Sequence, residues 1–510
     1  MEKDFSGIHI KYVIIQAGGK GTRLGHNTWN KPKCLVSLNG KPMLYSLFEA
    51  FPGAEFIVIG DYHYEILEKY IKSFPPEGKV TLIKASGTGT CSGIQEAVGL
   101  LPDRDTPFAL VWSDLQFTGC VRLREYHANT VGVSYNLKCR WSMVNNELKE
   151  IAADMNGVLG FFYFGNPSEI GTIPESGEFV RFLSQSSAKL EAVCIENCFE
   201  VGTETALEEH RGKCVTRFFN NVTVTGNKVI KKAKVDSFEH LIQKEVQWYR
   251  ELEKHKCNYI PQVYSTDPLT MEYIDGVHPF ELDVQDSGKE EILADIIGKI
   301  KHLHSLALTP NNIDDIKGEY IEKTISRFNR IKTMFDNFFY DEYIVNGKPV
   351  QNILHPLHMA ELHQIVEFLP RADFTLIHGD PTFSNIIVDR DLKAWFIDPR
   401  GYFGNQLLYG DPNYDFYKLF YSIEGNYDMF NRKRFSLRIF NKQIELNIPE
   451  SPWSRFKGLF YTETGLEKRA VDLAHGLIWI SLSGYAVDDV DSIFGAFFKG
   501  LELIADAYRA

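Results

Sequence analysis

Along the first part of the chain, short apolar runs alternate with segments whose apolar positions recur at helical spacing. "YVIIQAG" (12–18), "EFIVIGD" (55–61), "VTLIKA" (80–85) and "FALVWSD" (108–114) read as strands. Between them "MLYSLFEAF" (43–51), "YEILEKYIKSF" (64–74) and "GIQEAVGLL" (93–101) read as helices. Repeated β-α-β units predict a mostly parallel sheet covered by helices. In such sheets ligands collect beyond the carboxyl ends of the strands. The loop Gly18 to Arg23 and the carboxylate Asp114 both follow strands, so they are expected to meet at that edge.

The pattern changes near residue 215. "VTRFFNNVTVTGNKVIKKA" predicts two strands around a turn at Gly226-Asn227. "SFEHLIQKEVQWYRELEKH" predicts an amphipathic helix, and "QVYSTDPLTMEYIDG" two more short strands. After about residue 285 helical patterns dominate, with one strand-rich insert between Phe374 and Asp398. A small β-rich lobe before a larger helical lobe is a bilobal plan, and the junction near 212–216 is short.

Composition narrows the class. A chain of 510 residues exceeds one ordinary core, so two or three domains are expected. With 44% apolar and 24% charged residues it reads as soluble and globular. A formal net charge of −12 without a long basic run argues against nucleic acid or an anionic membrane surface as partner. None of the eight cysteines forms a CxxC pair, and Cys194, Cys198 and Cys214 lack the histidine partners of a zinc motif, so reduced thiols are expected. The start has no long apolar region of a signal peptide, and "LIWISLSGYAV" is too short to span a bilayer and is broken by Gly484. No membrane insertion and a cytoplasmic location are therefore expected.

Two motif sets carry chemistry. In the first, Gly18-Gly19-Lys20-Gly21-Thr22-Arg23 stands before Lys31-Pro32-Lys33. Glycines let backbone N–H groups approach phosphates, and Arg23 and Lys33 can neutralise triphosphate charge. "GGKGTRL…KPKCLVSLNGKPML" resembles the sugar-phosphate and choline-phosphate nucleotidylyltransferases, and the resemblance covers about residues 10–212. It implies nucleotide binding by Ala17, Gly18, Gly19, Gly21 and Thr22, with Gly89 and Thr90 of "GTCSGIQEA" near the base. It also implies catalytic roles for Arg23 and Lys33, and a Mg²⁺ site at Asp114. Glu200 in "FEVGTETALEEH" stands where the family has a second metal aspartate, so a carboxylate is retained. The reaction so implied is attack of a phosphomonoester on the α-phosphorus of a nucleoside triphosphate. Both reactants are anions, so charge neutralisation is the main obstacle.

In the second set, "HGDPTFSNIIVD" is followed by "WFIDPRG". It resembles the core of aminoglycoside phosphotransferases and choline kinases, over about residues 216–510. The resemblance implies Asp380 as catalytic base, with Asn385 and Asp398 as Mg²⁺ ligands. It further implies Lys231 on the α/β-phosphates of ATP, with Lys232 the competitor by strand register, and Glu245 as ion-pair partner. Backbone around Glu272 to Ile274 is expected to bind adenine, and "FFNNVT" to cover the phosphates in place of a GxGxxG loop. His378 reads as structural, His302 as surface, His304 as core, and Asp415 as a buried brace. Tyr414, Phe416, Tyr417, Phe420 and Tyr421 read as core, with a cation-binding cage as the alternative. Arg400, close after Asp398, argues against a cationic acceptor and for a polyol, a sugar or an acid.

Together these resemblances imply an α/β protein. A Rossmann-like nucleotidyltransferase domain (1–212), with a mixed, mostly parallel sheet, precedes a bilobal protein-kinase-like domain (lobes 213–278 and 279–510). The implied activity is phosphorylation of a small alcohol (polyol, choline-like or sugar) with ATP. The phosphomonoester is then coupled to a nucleoside triphosphate, CTP first, to make a precursor of capsule or other surface polysaccharide. UTP, GTP and dTTP, self-association, and a degenerate regulatory role for one half stay open as alternatives.

Overall fold

A computed structural model describes residues 10–121, 128–211 and 220–509. The chain divides into two compact units, Met1–Lys213 with Asp488–Asp491, and Cys214–Val487 with Ser492–Ala510. The expected junction at 212–216 lies outside the described residues.

The first unit is built on a nine-stranded sheet. Strands β1 (Tyr12–Gln16), β2 (Glu55–Gly60), β3 (Val80–Lys84) and β4 (Phe108–Trp112) run parallel, in the order β4-β1-β2-β3. Their near-continuous apolar runs follow from coverage on both faces: Val13, Ile14 and Ile15 are all fully buried. Helix α1 (Thr90–Val98) places Cys91, Ile94 and Ala97 against Ile14, Ile57 and Ile59. Beyond β4 the sheet turns antiparallel with Gly157–Phe164, and a hairpin (Ser142–Val144, Glu147–Lys149) forms that edge. The expected mixed, mostly parallel sheet is therefore present. Cross-links at the carboxyl ends bring the following loops to one edge: Ala17 donates to the Ile59 carbonyl (2.8 Å) and Ser113 to that of Gln16 (3.2 Å).

The second unit begins with a four-stranded antiparallel sheet. It comprises β5 (Asn220–Thr225), β6 (Lys228–Ala233), β7 (Val263–Thr266) and β8 (Leu269–Glu272), in the order β5-β6-β8-β7. The β5–β6 turn is the expected one, with Gly226 at φ +61°. Helix α2 (Glu239–Lys254) buries Ile242, Val246, Tyr249 and Leu252 on one face, and Glu245 on the same face. Helices dominate thereafter, among them α3 (Asp286–Ser305), α4 (Lys323–Ile331), α5 (Pro412–Ile423) and α6 (Lys468–Ser483). α6 contains the apolar stretch before Gly484 and is buried on nearly all sides. No helix among the described residues is long and apolar enough to cross a membrane.

The structure corrects the reading of a single strand-rich insert. Glu342–Val345, Lys348–Gln351, Ser436–Phe440 and Gln443–Asn447 form a further four-stranded sheet. The sequence does carry its pattern: Asn346-Gly347 turns with φ +50° and +79° between runs that bury Tyr343, Val345 and Val350 and expose Ile344.

Candidate active sites

In the first unit, the loop after β1 supplies the cations. Gly21 has φ +64°, and a Cβ there would lie 2.9 Å from that of Lys33, so glycine lets the loop pack on the Lys33 stem. A Cβ on Gly18 would lie 2.9 Å from that of Asp61, whereas one on Gly19 would meet nothing within 4 Å. Gly19 thus leaves an open backbone face of the kind a phosphate can approach. Lys33 opens a short turn (Lys33–Leu35) directly after Pro32, and its ammonium forms an ion pair with Asp114.

Asp114 and Glu200 are brought together by a short antiparallel pair, Leu115–Phe117 with Cys198–Glu200, in which Glu200 faces Leu115. The N–H of Val201 donates to the Asp114 carbonyl (2.9 Å). Gly202 lies against the cluster: a Cβ there would sit 2.8 Å from Glu200 Oε1, 3.2 Å from Arg23 Nη2 and 3.6 Å from Asp114 Oδ2. Arg23, Lys33, Asp114 and Glu200 therefore share one site. Burial, then the charge of Asp114, raises the Glu200 pKa, while Lys33 and Arg23 offset part of the effect. Lys31 is elsewhere, paired with Asp489 (2.7 Å) and Asp491 of the late segment that completes this unit.

Gly89, at φ +84°, precedes α1, and a Cβ there would strike the Gly177 carbonyl at 2.3 Å. The Thr90 hydroxyl accepts from the N–H of Phe179 (2.8 Å). Ala17 is fully buried, whereas Thr22 is exposed in the loop.

In the second unit, Lys231 points inward from β6 and Lys232 is exposed. The Lys231 ammonium lies 2.6 Å from Glu245 and 2.5 Å from Asp398. Asp398 has φ +54°, a backbone state uncommon for a non-glycine residue and concentrated at functional sites. Asn385 donates to the carbonyl (2.7 Å) and Oδ2 (3.0 Å) of Asp380, and Lys418 pairs with Asp380 Oδ1 at 2.9 Å. Lys231, Glu245 and Asp398 are thus joined, as are Asp380 and Asn385. Around the expected adenine segment, the N–H groups of Glu272 and Tyr273 are spent on the carbonyls of Gln262 (2.8 Å) and Asn227 (2.9 Å). The N–H of Ile274 donates to no protein acceptor among the described residues. Of "FFNNVT", Phe218 and Phe219 lie outside the described residues and the remainder belongs to β5.

A buried brace holds the loop from His378 to Asp380. Asp415, with no exposed surface, accepts from the N–H groups of His378 (2.9 Å) and Gly379 (2.7 Å). His304 Nε2 lies 3.1 Å from the same carboxylate. His378 Nδ1 accepts from the N–H of Asp380 (3.2 Å), so its Nε2–H donates to the Ile397 carbonyl (3.0 Å). Burial lowers the His378 pKa, in keeping with a neutral positioning ring. His302 is exposed, and the five aromatics from Tyr414 to Tyr421 are buried.

Arg400, close after Asp398 in sequence, is matched by a carboxylate from a remote helix. It forms a two-pronged pair with Glu319 (2.5 and 2.7 Å), and Lys323 also pairs with Glu319. Burial opposes ionisation of Glu319, yet Arg400 and Lys323 hold its carboxyl well below the usual range. Glu319 has a local partner in Lys323, but its two-pronged partner Arg400 is remote in sequence. Lys418 and Gly202 lie inside motifs that the sequence does display, three residues after Asp415 and two after Glu200.

A family model of the MobA-like NTP transferase domain matches residues 13–122, and one of the phosphotransferase enzyme family matches residues 216–437. A mannose-1-phosphate guanyltransferase of Neurospora crassa is 32% identical over 109 residues, 20% of this chain. The match spans only 30% of that relative's own length. Among solved structures, HddC from Yersinia pseudotuberculosis is 22% identical with a TM-score of 0.34, covering 39% of this chain and 98% of that one. The inositol-1-phosphate CTP transferase from T. maritima is 17% identical with a TM-score of 0.32, covering 39% and 93%. The chain is thus a fusion of a MobA-like NTP transferase domain with a domain of the phosphotransferase enzyme family.

Proposed function

We propose that the protein phosphorylates a small alcohol with ATP and couples the resulting phosphomonoester to a nucleoside triphosphate, CTP in the first instance, releasing pyrophosphate. The observation that carries this reading is the presence in one chain of two carboxylate–cation constellations. One is Arg23, Lys33, Asp114 and Glu200; the other is Lys231, Glu245, Asp380, Asn385 and Asp398. A kinase makes the phosphomonoester that a nucleotidyltransferase consumes. The product is a CDP-activated precursor suited to capsule or other surface polysaccharide, made in the cytoplasm.

In the second domain (lobes 213–278 and 279–510), the alcohol oxygen attacks the γ-phosphorus and the bond to the β–γ bridging oxygen breaks, so ADP leaves. The hydroxyl proton passes to Asp380, whose carboxylate Asn385 and Lys418 orient. Lys231, steadied by Glu245, meets the α/β-phosphates, and the Ile274 N–H with backbone near Glu272 meets adenine. In the first domain (1–212), a phosphomonoester oxygen attacks the α-phosphorus and the α–β bridging bond breaks. The nucleophile is already an anion, so no protein base is required. Arg23 and Lys33 face the charge on the departing pyrophosphate, backbone from Ala17 to Thr22 wraps the triphosphate, and Gly89 and Thr90 border the base.

Both donor sets fit Mg²⁺, being oxygen ligands of few carboxylates, and the mutual repulsion that raises Glu200 is what a cation would relieve. Asp114 and Glu200 would hold it in the first domain, Asn385 and Asp398 in the second, where it would neutralise phosphate charge.

Mass spectrometry on protein incubated with ATP, CTP and pooled choline, glycerol, glucitol, ribitol and sugars tests this reading. A CDP-linked alcohol is expected; absence of any nucleotide-linked product would sink it. A second reading couples a sugar phosphorylated at its anomeric hydroxyl to GTP, UTP or dTTP; the curated relatives, mannose-1-phosphate guanyltransferases, support its GTP form. The same incubation with those nucleotides separates the two.

A further inference from the structure

We infer that the acceptor of the second domain is a hydroxy acid, whose carboxylate is received by Arg327 and Lys323 while its hydroxyl meets Asp380. This rests on the kinase reading of that domain.

Near Asp380 stands a group of side chains with more basic than acidic members. Asp380 itself is matched by Lys418 (2.9 Å). Beside it Arg400, whose Cβ would be 3.0 Å from a Cβ on Gly379, shares the single carboxylate of Glu319 with Lys323. Arg327 stands one helical turn beyond Lys323 on α4 and adds a third cation. Its guanidinium donates to Ser481 Oγ (3.1 Å) and lies 5.3 Å from the Tyr485 ring centroid; among the described residues no carboxylate pairs with it. Like charges so grouped repel more strongly as water is excluded: burial, then Arg400 and Arg327, pull the Lys323 pKa well below its ordinary value, with Glu319 opposing them. An anion entering the group would relieve that repulsion and form charge-assisted bonds.

Tyr414 connects the basic group with Asp380. Arg400 donates to the Tyr414 hydroxyl (3.1 Å), Lys323 lies 6.0 Å from the Tyr414 ring, and that hydroxyl feels both Asp380 and Arg327. A cationic acceptor is disfavoured twice. The group is already positive, and the aromatic faces that would cage a cation carry the protein's own. Arg400 covers Tyr402 (4.0 Å) and Tyr414 (5.6 Å), and Lys418 covers Tyr421 (5.2 Å). Of the nearby acids, Asp398 pairs with Lys231 and Asp415 accepts from the N–H groups of His378 and Gly379, which leaves Asp428 to weigh. Burial pushes it up to about 7, so it is substantially neutral below that pH and suited to bonding a hydroxyl.

The test is ADP release by the full chain with ATP and short alcohols matched in size: glycerate and other hydroxy acids, glycerol, and choline. Hydroxy acids are expected to be preferred in kcat/KM. Arg327→Gln is expected to raise their KM on the order of tenfold to a hundredfold, the loss of a charged hydrogen bond, leaving the KM for ATP unchanged. Arg327→Lys restores part of the affinity. Preference for glycerol or choline in the unaltered protein overturns the inference and leaves the kinase reading standing, as does an undiminished acid preference in Arg327→Gln. ADP release with no alcohol at all overturns both.

Discussion

Glu200 and Asp114 meet at the end of a two-stranded antiparallel pair, with the N–H of Val201 donating to the Asp114 carbonyl at 2.9 Å. The two carboxylates are thus held together by backbone, and side-chain changes can remove their chemistry without dismantling the pair. Asp114→Ala is expected to lower pyrophosphate release by about a hundredfold or more. ADP release should be unaffected. Loss of both activities in a folded variant would contradict independent chemistries in the two domains.

Asp380→Ala is the converse. ADP formation should fall by about 10²- to 10⁴-fold, the usual contribution of a general base. Pyrophosphate release from an alcohol phosphorylated beforehand should persist. Rapid ADP formation with the variant would remove Asp380 from the role of base.

Lys231 is buried between Glu245 (2.6 Å) and Asp398 (2.5 Å). Glu245→Ala takes away one of these anchors. The expected result is a KM for ATP raised about tenfold and a destabilisation of about 1–3 kcal/mol, typical of a disrupted buried charged hydrogen bond. Titration with ATP and denaturant unfolding measure the two effects; an unchanged KM would mean that Glu245 does not position Lys231 for the nucleotide.

Gly202 and Gly89 test close packing. Alanine at 202 puts a Cβ 2.8 Å from Glu200 Oε1, and at 89 a Cβ 2.3 Å from the Gly177 carbonyl. The first clash is with a side chain and should chiefly lower nucleotidyl transfer. The second is with backbone at φ +84°, and should also lower the unfolding midpoint. Wild-type behaviour of both variants would show that neither approach is needed.

Asp428 gives a pH signature. Burial raises its pKa from 3.8 to about 7, so the folded state holds a proton that the unfolded chain has released between those values. Its contribution to stability therefore falls as pH rises across that window, at up to about 1.4 kcal/mol per pH unit. Asp428→Asn cannot ionise and should lack this fall. Guanidinium unfolding of both proteins at pH 5 and above pH 7 provides the check; parallel pH dependence would refute it.

The glycine loop, Asp114 and "HGDPTFSN" were legible in sequence because their chemistry is local. A turn, a strand end or a short loop needs only neighbouring residues to place a backbone N–H or a carboxylate. Tyr12–Gln16 was likewise legible as a buried strand, since continuous apolar character reports coverage on both faces. The strands around Asn346-Gly347 carried a readable signal in a region otherwise dominated by helical spacing. What only the tertiary structure decided are the partners of charges far apart in the chain. The sequence shows Arg400 as a cation close after Asp398 but not Glu319 against it, nor that among the described residues no carboxylate pairs with Arg327. Gly202 becomes meaningful only when Arg23, Asp114 and Glu200 converge around it. Such pairings depend on which chain segments meet after loop closure, and a residue's own neighbours in sequence do not encode that meeting.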